Sequence, residues 1–179
     1  MKKLILDACC GGKMFWYNKN HPNATYMDNR KDEKGHSQFR PNHEVMPDII
    51  ADFKNMPFKD KSFKMVVFDP PHMFLGENAE FTKSYGRLTK DTWKDELKRG
   101  FDECWRVLDD YGTLIFKWNQ FDIKKKKVLE VLGRDPLFGH TTNRSTKNTH
   151  WLCYMKIPEG DAFHESKDDN NVSSEGDEK

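Results

Sequence analysis

Apolar residues in this chain collect in short runs, at residues 3–8, 24–28, 48–53, 63–69, 112–118, 137–142 and 150–157. Runs of that length, rich in β-branched and aromatic residues and bounded by turn formers, predict strands. One stretch has another period. Trp93, Leu97, Phe101, Cys104, Trp105 and Leu108 recur at helical spacing and predict a helix over residues 91–108 whose apolar stripe is core. A second helix is expected over 121–132, carrying the run Lys124–Lys127 and closing at Gly133, as a helix C-terminus often does. A short helix is expected from Gly12 to about Asn20. Strands alternating with helices predict a mostly parallel sheet of the doubly wound α/β kind. The last two strands, with no helix between them, predict an antiparallel hairpin at one edge. Residues 29–46 carry no helical period, and the link 53–63 is too short for a helix.

Composition adds limits. A length of 179 residues gives room for one folded domain, expected over residues 1–157, followed by an acidic, disordered tail at 158–179. Hydrophobic residues are 36% and charged residues 33% of the chain, while the aromatic share of 13% predicts a small, aromatic-rich core. No apolar run reaches the ~20 residues of a membrane span, and the start of the chain meets an acid before a signal-peptide core could form. The expectation is a soluble cytoplasmic or nucleoid-associated protein. Cys9, Cys10, Cys104 and Cys153 show no C-x-x-C pair and are expected to be reduced thiols. His21, His36 and His43 lie in loops without metal-ligand spacing, so no metal is expected. The net charge of +1 hides an asymmetry: the tail holds eight acids and two lysines, which leaves +7 on the body. A basic body suits a polyanionic partner, and equally a well-solvated surface.

Four strand ends carry candidate chemistry. The first strand runs through Asp7, Ala8, Cys9 and Cys10 into Gly11 and Gly12, a turn that lets backbone approach a ligand closely. Such junctions also serve tight packing alone. Asp28 ends the second strand at the distance where a carboxylate can accept from ribose hydroxyls. Asp52 ends the third, with Phe53 beside it, where it could receive an adenine amino group. An Asp at a strand end is also an ordinary turn residue, but three along one sheet edge are harder to dismiss. The fourth strand delivers Asp69-Pro70-Pro71-His72. The two prolines remove N–H donors and stiffen the turn, leaving carbonyls open. Asp69 and the Pro70 carbonyl could hold the two hydrogens of an exocyclic amine while His72 stacks on the base.

These motifs, in this order, resemble the class I methyltransferases, specifically the amino-methylating group typified by DNA adenine-N6 and cytosine-N4 methyltransferases. The resemblance spans about residues 3–157. It implies a Rossmann-like sheet and S-adenosylmethionine as cofactor, with the glycine turn at the methionine moiety, Asp28 at the ribose, Asp52 and Phe53 at the adenine, and Asp69 to His72 at the target amine. His72 stands where Tyr, Phe or Trp is more frequent, and Cys9-Cys10-Gly11-Gly12 replaces a richer glycine turn. The implied activity is methyl transfer to a base amine of a nucleic acid, first of all N6 of adenine in DNA. An RNA or tRNA amino-methyltransferase, a protein-glutamine methyltransferase and a catalytically silent, cofactor-binding partner subunit stay open. Lys117, Asn143 and Arg144 are expected to contact substrate, residues 73–90 to form a lid, and a homodimer or partner subunit to complete the assembly. With the compact size and short linkers, the resemblance implies a phage or mobile-element protein.

Overall fold

Strands form where the apolar runs predict them, at β1 (Ile5–Asp7), β2 (Ala24–Asp28), β3 (Ile49–Ile50), β4 (Phe63–Phe68), β5 (Leu108–Asn119), β6 (Phe138–Gly139) and β7 (Thr149–Met155). Helices are α1 (Glu80–Tyr85), α2 (Trp93–Val107) and α3 (Lys125–Leu132). The computed structural model describes residues 3–139 and 148–161. One sheet holds all seven strands in the order β3-β2-β1-β4-β5-β7-β6. Strands β1 to β5 pair in parallel, and β7 runs antiparallel to both β5 and β6, the reversed strand expected at that edge. No helix of the described residues is long and apolar enough to cross a membrane.

The sheet order expected of the doubly wound layout forms, and no helix joins β2 to β3 or β3 to β4, as their links predict; the helix expected between β1 and β2 is absent as well. Helix α2 packs on β4, β5 and α3, so α2 and α3 share one face of the sheet. Alternation in β5 aims Leu114, Phe116 and Trp118 at that face, where they meet Leu97, Phe101, Val128 and Leu152 in the main core. The opposite face is roofed by the segment after β1, where Trp16 packs against Tyr26 and Phe15 stands edge-on to Trp151. That segment is not the helix expected over residues 12–20. Gly11 and Lys13 take positive φ values of 46° and 52°, which no right-handed helix contains. Trp16 instead turns back so that its Nε1 donates to Asp7 Oδ2 at 2.7 Å. Strand β5 begins four residues earlier than its apolar run, because the chain leaves α2 at Val107 directly into extended backbone at Leu108.

Two contacts of α2 fix the strand-end loops. Glu103 accepts from Met56 N at 2.7 Å, and Arg106 donates to the Phe58 and Met56 carbonyls and to Asp60, clamping the β3–β4 link. Gly100, in mid-helix, lies against Phe53 and Phe68; a Cβ there would come within 2.5 Å of the Phe53 ring. The acidic segment enters a short 3-10 turn at Glu159–Asp161, and its remainder lies outside the described residues.

Candidate active site

Parallel pairing of β1, β2, β3 and β4 brings their carboxyl ends to one edge, where a cleft of about 540 Å³ opens. Ligand sites in open α/β sheets lie at such edges. Of the residues expected at a cofactor, Ala8, Cys9, Cys10, Gly11, Asp28, Asp52 and Phe53 line this cleft, and Asp69, Pro70, Pro71, His72 and Lys117 line it with them. Asp7 does not. It is fully buried behind the glycine turn, accepting from Trp16 Nε1 and, at 3.4 Å, from Cys9 N. Asn143 and Arg144 lie outside the described residues.

The glycine turn is held by Asp28. Gly11 N donates to Asp28 Oδ2 at 2.9 Å, and Arg30 N and Nε donate to Oδ1 at 3.2 and 3.3 Å. A side chain on Gly12 would strike His43, since its Cβ would stand 2.7 Å from Nε2, so the 29–46 segment closes directly over the turn. Burial pushes the Cys9 and Cys10 thiols up, with Asp28 and Asp7 adding to it, so both stay protonated at neutral pH. Neither is poised as a nucleophile. Asp52 uses Oδ1 to accept from Lys54 N at 2.8 Å, the turn role its position predicts, and keeps its Oδ2 edge toward Lys54 Nζ at 3.5 Å. Phe53 stands edge-on to Phe68 beside it.

At the β4 end, Lys117 Nζ donates to Asp69 Oδ2 at 2.5 Å, and Oδ1 accepts no hydrogen bond among the described residues. Burial raises the Asp69 carboxyl above its ordinary value, and the Lys117 ammonium opposes that. His72 is held below its ordinary value, by burial first, against the pull of the Asp69 carboxylate. Its ring meets Trp118 edge-on. Trp118 itself is core: it is fully buried, and its Nε1 donates to the Ile123 carbonyl at 3.0 Å. The turn therefore presents one open carboxylate oxygen and an uncharged imidazole to the cleft.

Residues 73–90, expected to form a lid, contain α1 and contribute Thr82, Ser84, Tyr85, Gly86 and Arg87 to the cleft wall. This segment is docked on residues 29–46. Gln38 N and Ser37 Oγ donate to Glu80, and Arg40 lies 4.7 Å over the Tyr85 ring. Sequence reasoning placed residues 73–90 beside the site but missed Ser37, Gln38, Arg40 and Arg30. A cation two places after a strand-end acid is a readable signal, whereas the contacts of α1 are made across some fifty residues of chain.

No protein-family model matches the chain, and no curated protein matches it in sequence. Solved structures do match in fold. The PH0226 protein from Pyrococcus horikoshii is 14% identical, with a TM-score of 0.54 over 87% of this chain and 82% of that one. A SAM-dependent methyltransferase from Methanosarcina mazei is 12% identical, with a TM-score of 0.51 over 89% and 95% of the two chains. A geranyl diphosphate methyltransferase, solved with geranyl diphosphate and sinefungin, is 10% identical, with a TM-score of 0.50 over 87% and 71%. At such identities the likeness defines the fold, a Rossmann-like methyltransferase sheet of mixed α/β class. What the chain does is argued from its own site.

Proposed function

We propose that this chain binds S-adenosylmethionine and methylates an exocyclic amino nitrogen of a nucleic-acid base, N6 of adenine in DNA first. The observation that carries the reading is the shared cleft: the Asp69-Pro70-Pro71-His72 turn opens into the same space as the Gly11 turn, Asp28 and Asp52. The residues fit the cofactor in kind and in size. Asp28 and Asp52 offer acceptors to a diol and an amine, Phe53 offers a ring edge, and about 540 Å³ lies within the usual range of small-molecule sites. When bound, S-adenosylmethionine supplies an electrophilic methyl group. Asp69 Oδ1 and the Pro70 carbonyl accept the hydrogens of the target amine and turn its lone pair toward the cofactor end of the cleft, so that positioning and electrostatics supply the rate. A base inside a duplex cannot reach this depth, which requires a flipped or single-stranded substrate.

Support for a polyanionic substrate comes from the surface beside the turn. The backbone N of Phe74 donates to Asp122 at 2.7 Å, which joins the active turn to the start of α3. Lys124, Lys126 and Lys127 are exposed there, Phe121 is 70% exposed, and the first turn of α3 carries no acid. Positive side chains at the positive end of a helix oppose its dipole, and an outside anion would offset that cost at Lys124, Lys126 and Lys127. Replacing Lys124, Lys126 and Lys127 by Gln lowers the slope of log affinity against log salt for DNA by about 2–3, at roughly 0.9 for each phosphate no longer neutralised. Salt titrations of binding by fluorescence anisotropy check this; an unchanged slope removes the run from the interface.

Calorimetry tests the cofactor reading directly. Wild type binds S-adenosylmethionine, and Asp28→Ala binds it on the order of 10–100-fold more weakly, the effect of losing about 1.5–3 kcal/mol of hydrogen bonding to a charged acceptor. Absence of binding by wild type at millimolar cofactor overturns the proposal. Incubation with labelled cofactor and separate DNA, tRNA and protein pools then identifies the acceptor.

A further inference from the structure

Asp28 has more claimants than acceptor sites. An ionised carboxylate offers about four acceptor directions, and three are used, by Gly11 N, Arg30 N and Arg30 Nε. The ribose diol assigned to Asp28 brings two donors, so one present bond must open. The backbone bonds from Gly11 and Arg30 build the turn itself; the bond from Arg30 Nε, at 3.3 Å, is the longest and belongs to a side chain. The same guanidinium holds the lid. Its Nη1 donates to the Lys83 carbonyl at 2.6 Å and its Nη2 to the Ser84 carbonyl at 3.3 Å, the open carbonyls at the C-terminal end of α1. Two residues beyond Ser84, Gly86 at φ 69° rests on the active turn so closely that a Cβ would stand 2.9 Å from Pro71 Cγ. The path from the ribose acid to the active turn therefore runs through Asp28, Arg30, the last turn of α1, Gly86 and Pro71.

From this path, and resting on the cofactor reading above, we infer that Arg30 is a positioning residue that exchanges its bond to Asp28 for the cofactor's ribose and thereby fixes the lid over Pro71. Before the cofactor arrives, the guanidinium is shared between the acid and the lid. Once the diol takes the acceptor, its donors serve the lid carbonyls, with Asp32 at 3.8 Å as the nearest remaining carboxylate. Cofactor capture and formation of the amine pocket are then one linked event, and the cofactor binds before the amine. Removing Arg30 frees an acceptor on Asp28 and unties α1, which separates cofactor affinity from turnover in a way that mere damage to the fold does not.

The test uses the full chain, with S-adenosylhomocysteine as the probe. Amide exchange over residues 76–88 is followed with and without the probe in wild type and Arg30→Ala, alongside calorimetry and thermal melting. In wild type the probe slows exchange in this segment at least about 5-fold. In Arg30→Ala the probe binds as tightly as in wild type or up to about 3-fold more tightly, yet the slowing is lost, KM for the amine substrate rises and kcat falls about 10-fold or more. Arg30→Lys, which keeps the charge but not the fork of donors, lies between. Equal slowing in wild type and Arg30→Ala overturns the inference, as does a loss of probe affinity matching the loss of turnover. Failure of wild type to bind the probe overturns the cofactor reading instead, and this inference with it.

Discussion

Asp69→Ala keeps its affinity for S-adenosylmethionine within a few-fold of wild type and loses about 100-fold or more in turnover, the scale of removing one positioned electrostatic partner. The separation follows from geometry. Asp69 touches the cleft at its own end, and no bond joins it to Gly11 or Asp28 among the described residues, so the cofactor cradle survives the change. Asp69→Asn distinguishes charge from shape, because it retains a carbonyl acceptor. The pH profile supplies the independent check. The open oxygen is a charged, strong acceptor only when the carboxyl is ionised, and burial raises its pKa. Activity therefore falls as pH falls through that raised value. Lys117 lowers the Asp69 pKa, so Lys117→Met moves the acidic limb to higher pH, while His72, already held down, adds no charge near neutrality. Single-turnover rates measured across pH read both effects. Full activity in Asp69→Ala, or an unmoved acidic limb in Lys117→Met, counts against the proposed chemistry.

The second large effect lies behind the cleft. Asp7 is fully buried, and burial lifts its carboxyl from 3.8 to about 7. Because the folded-state pKa is the higher one, the folded protein holds this proton more tightly than the unfolded chain. The associated stability is complete below about pH 3.8 and is lost as pH rises through about 7. At 1.36 kcal/mol per unit the span is about 4 kcal/mol. Asp7→Asn cannot ionise and keeps an oxygen for Trp16 Nε1. Its stability relative to wild type therefore rises by about 4 kcal/mol between pH 4 and pH 8, a difference in which the other titrating groups cancel. Asp7→Ala strands the part-buried indole N–H instead and costs about 1–3 kcal/mol at acid pH. Urea melts over a pH series measure both, and a flat difference between Asp7→Asn and wild type rules the account out.

Strands were legible because their signal is local. Period-two alternation in β5 and β7 and the stripe of α2 state their faces without reference to the rest of the chain, and the apolar run Met65-Val66-Val67-Phe68 marks β4. The strand-end acids were legible because parallel strands share a carboxyl edge, so residues at successive ends are already neighbours. What stayed hidden depends on distant partners. The segment after β1 has residues able to form a helix, but the indole of Trp16 gains a buried carboxyl by turning back, and Lys13 accepts a left-handed backbone to allow it. Asp7 reads like a cofactor ligand from its place in the motif, and only packing shows that Trp16 has taken it. The contacts of Arg30 with α1 are hidden likewise, because Thr82, Lys83 and Ser84 bring their carbonyls to it from more than fifty residues along the chain.

Gly100 carries a consequence for how the cleft can be altered. A glycine in mid-helix costs about 0.5–1 kcal/mol relative to alanine, and here the backbone of α2 uses the missing methyl to stand against the back of Phe53 and Phe68. Phe53 also lines the cleft. A methyl at position 100 would press on the Phe53 and Phe68 rings, and a shift of Phe53 would reshape the end of the cleft assigned to adenine. The calibre of the nucleoside slot is thus adjustable from the rear of the sheet, one carbon at a time, so that evolution or a designer can retune which cofactor analogues enter without touching a single group that hydrogen-bonds to them.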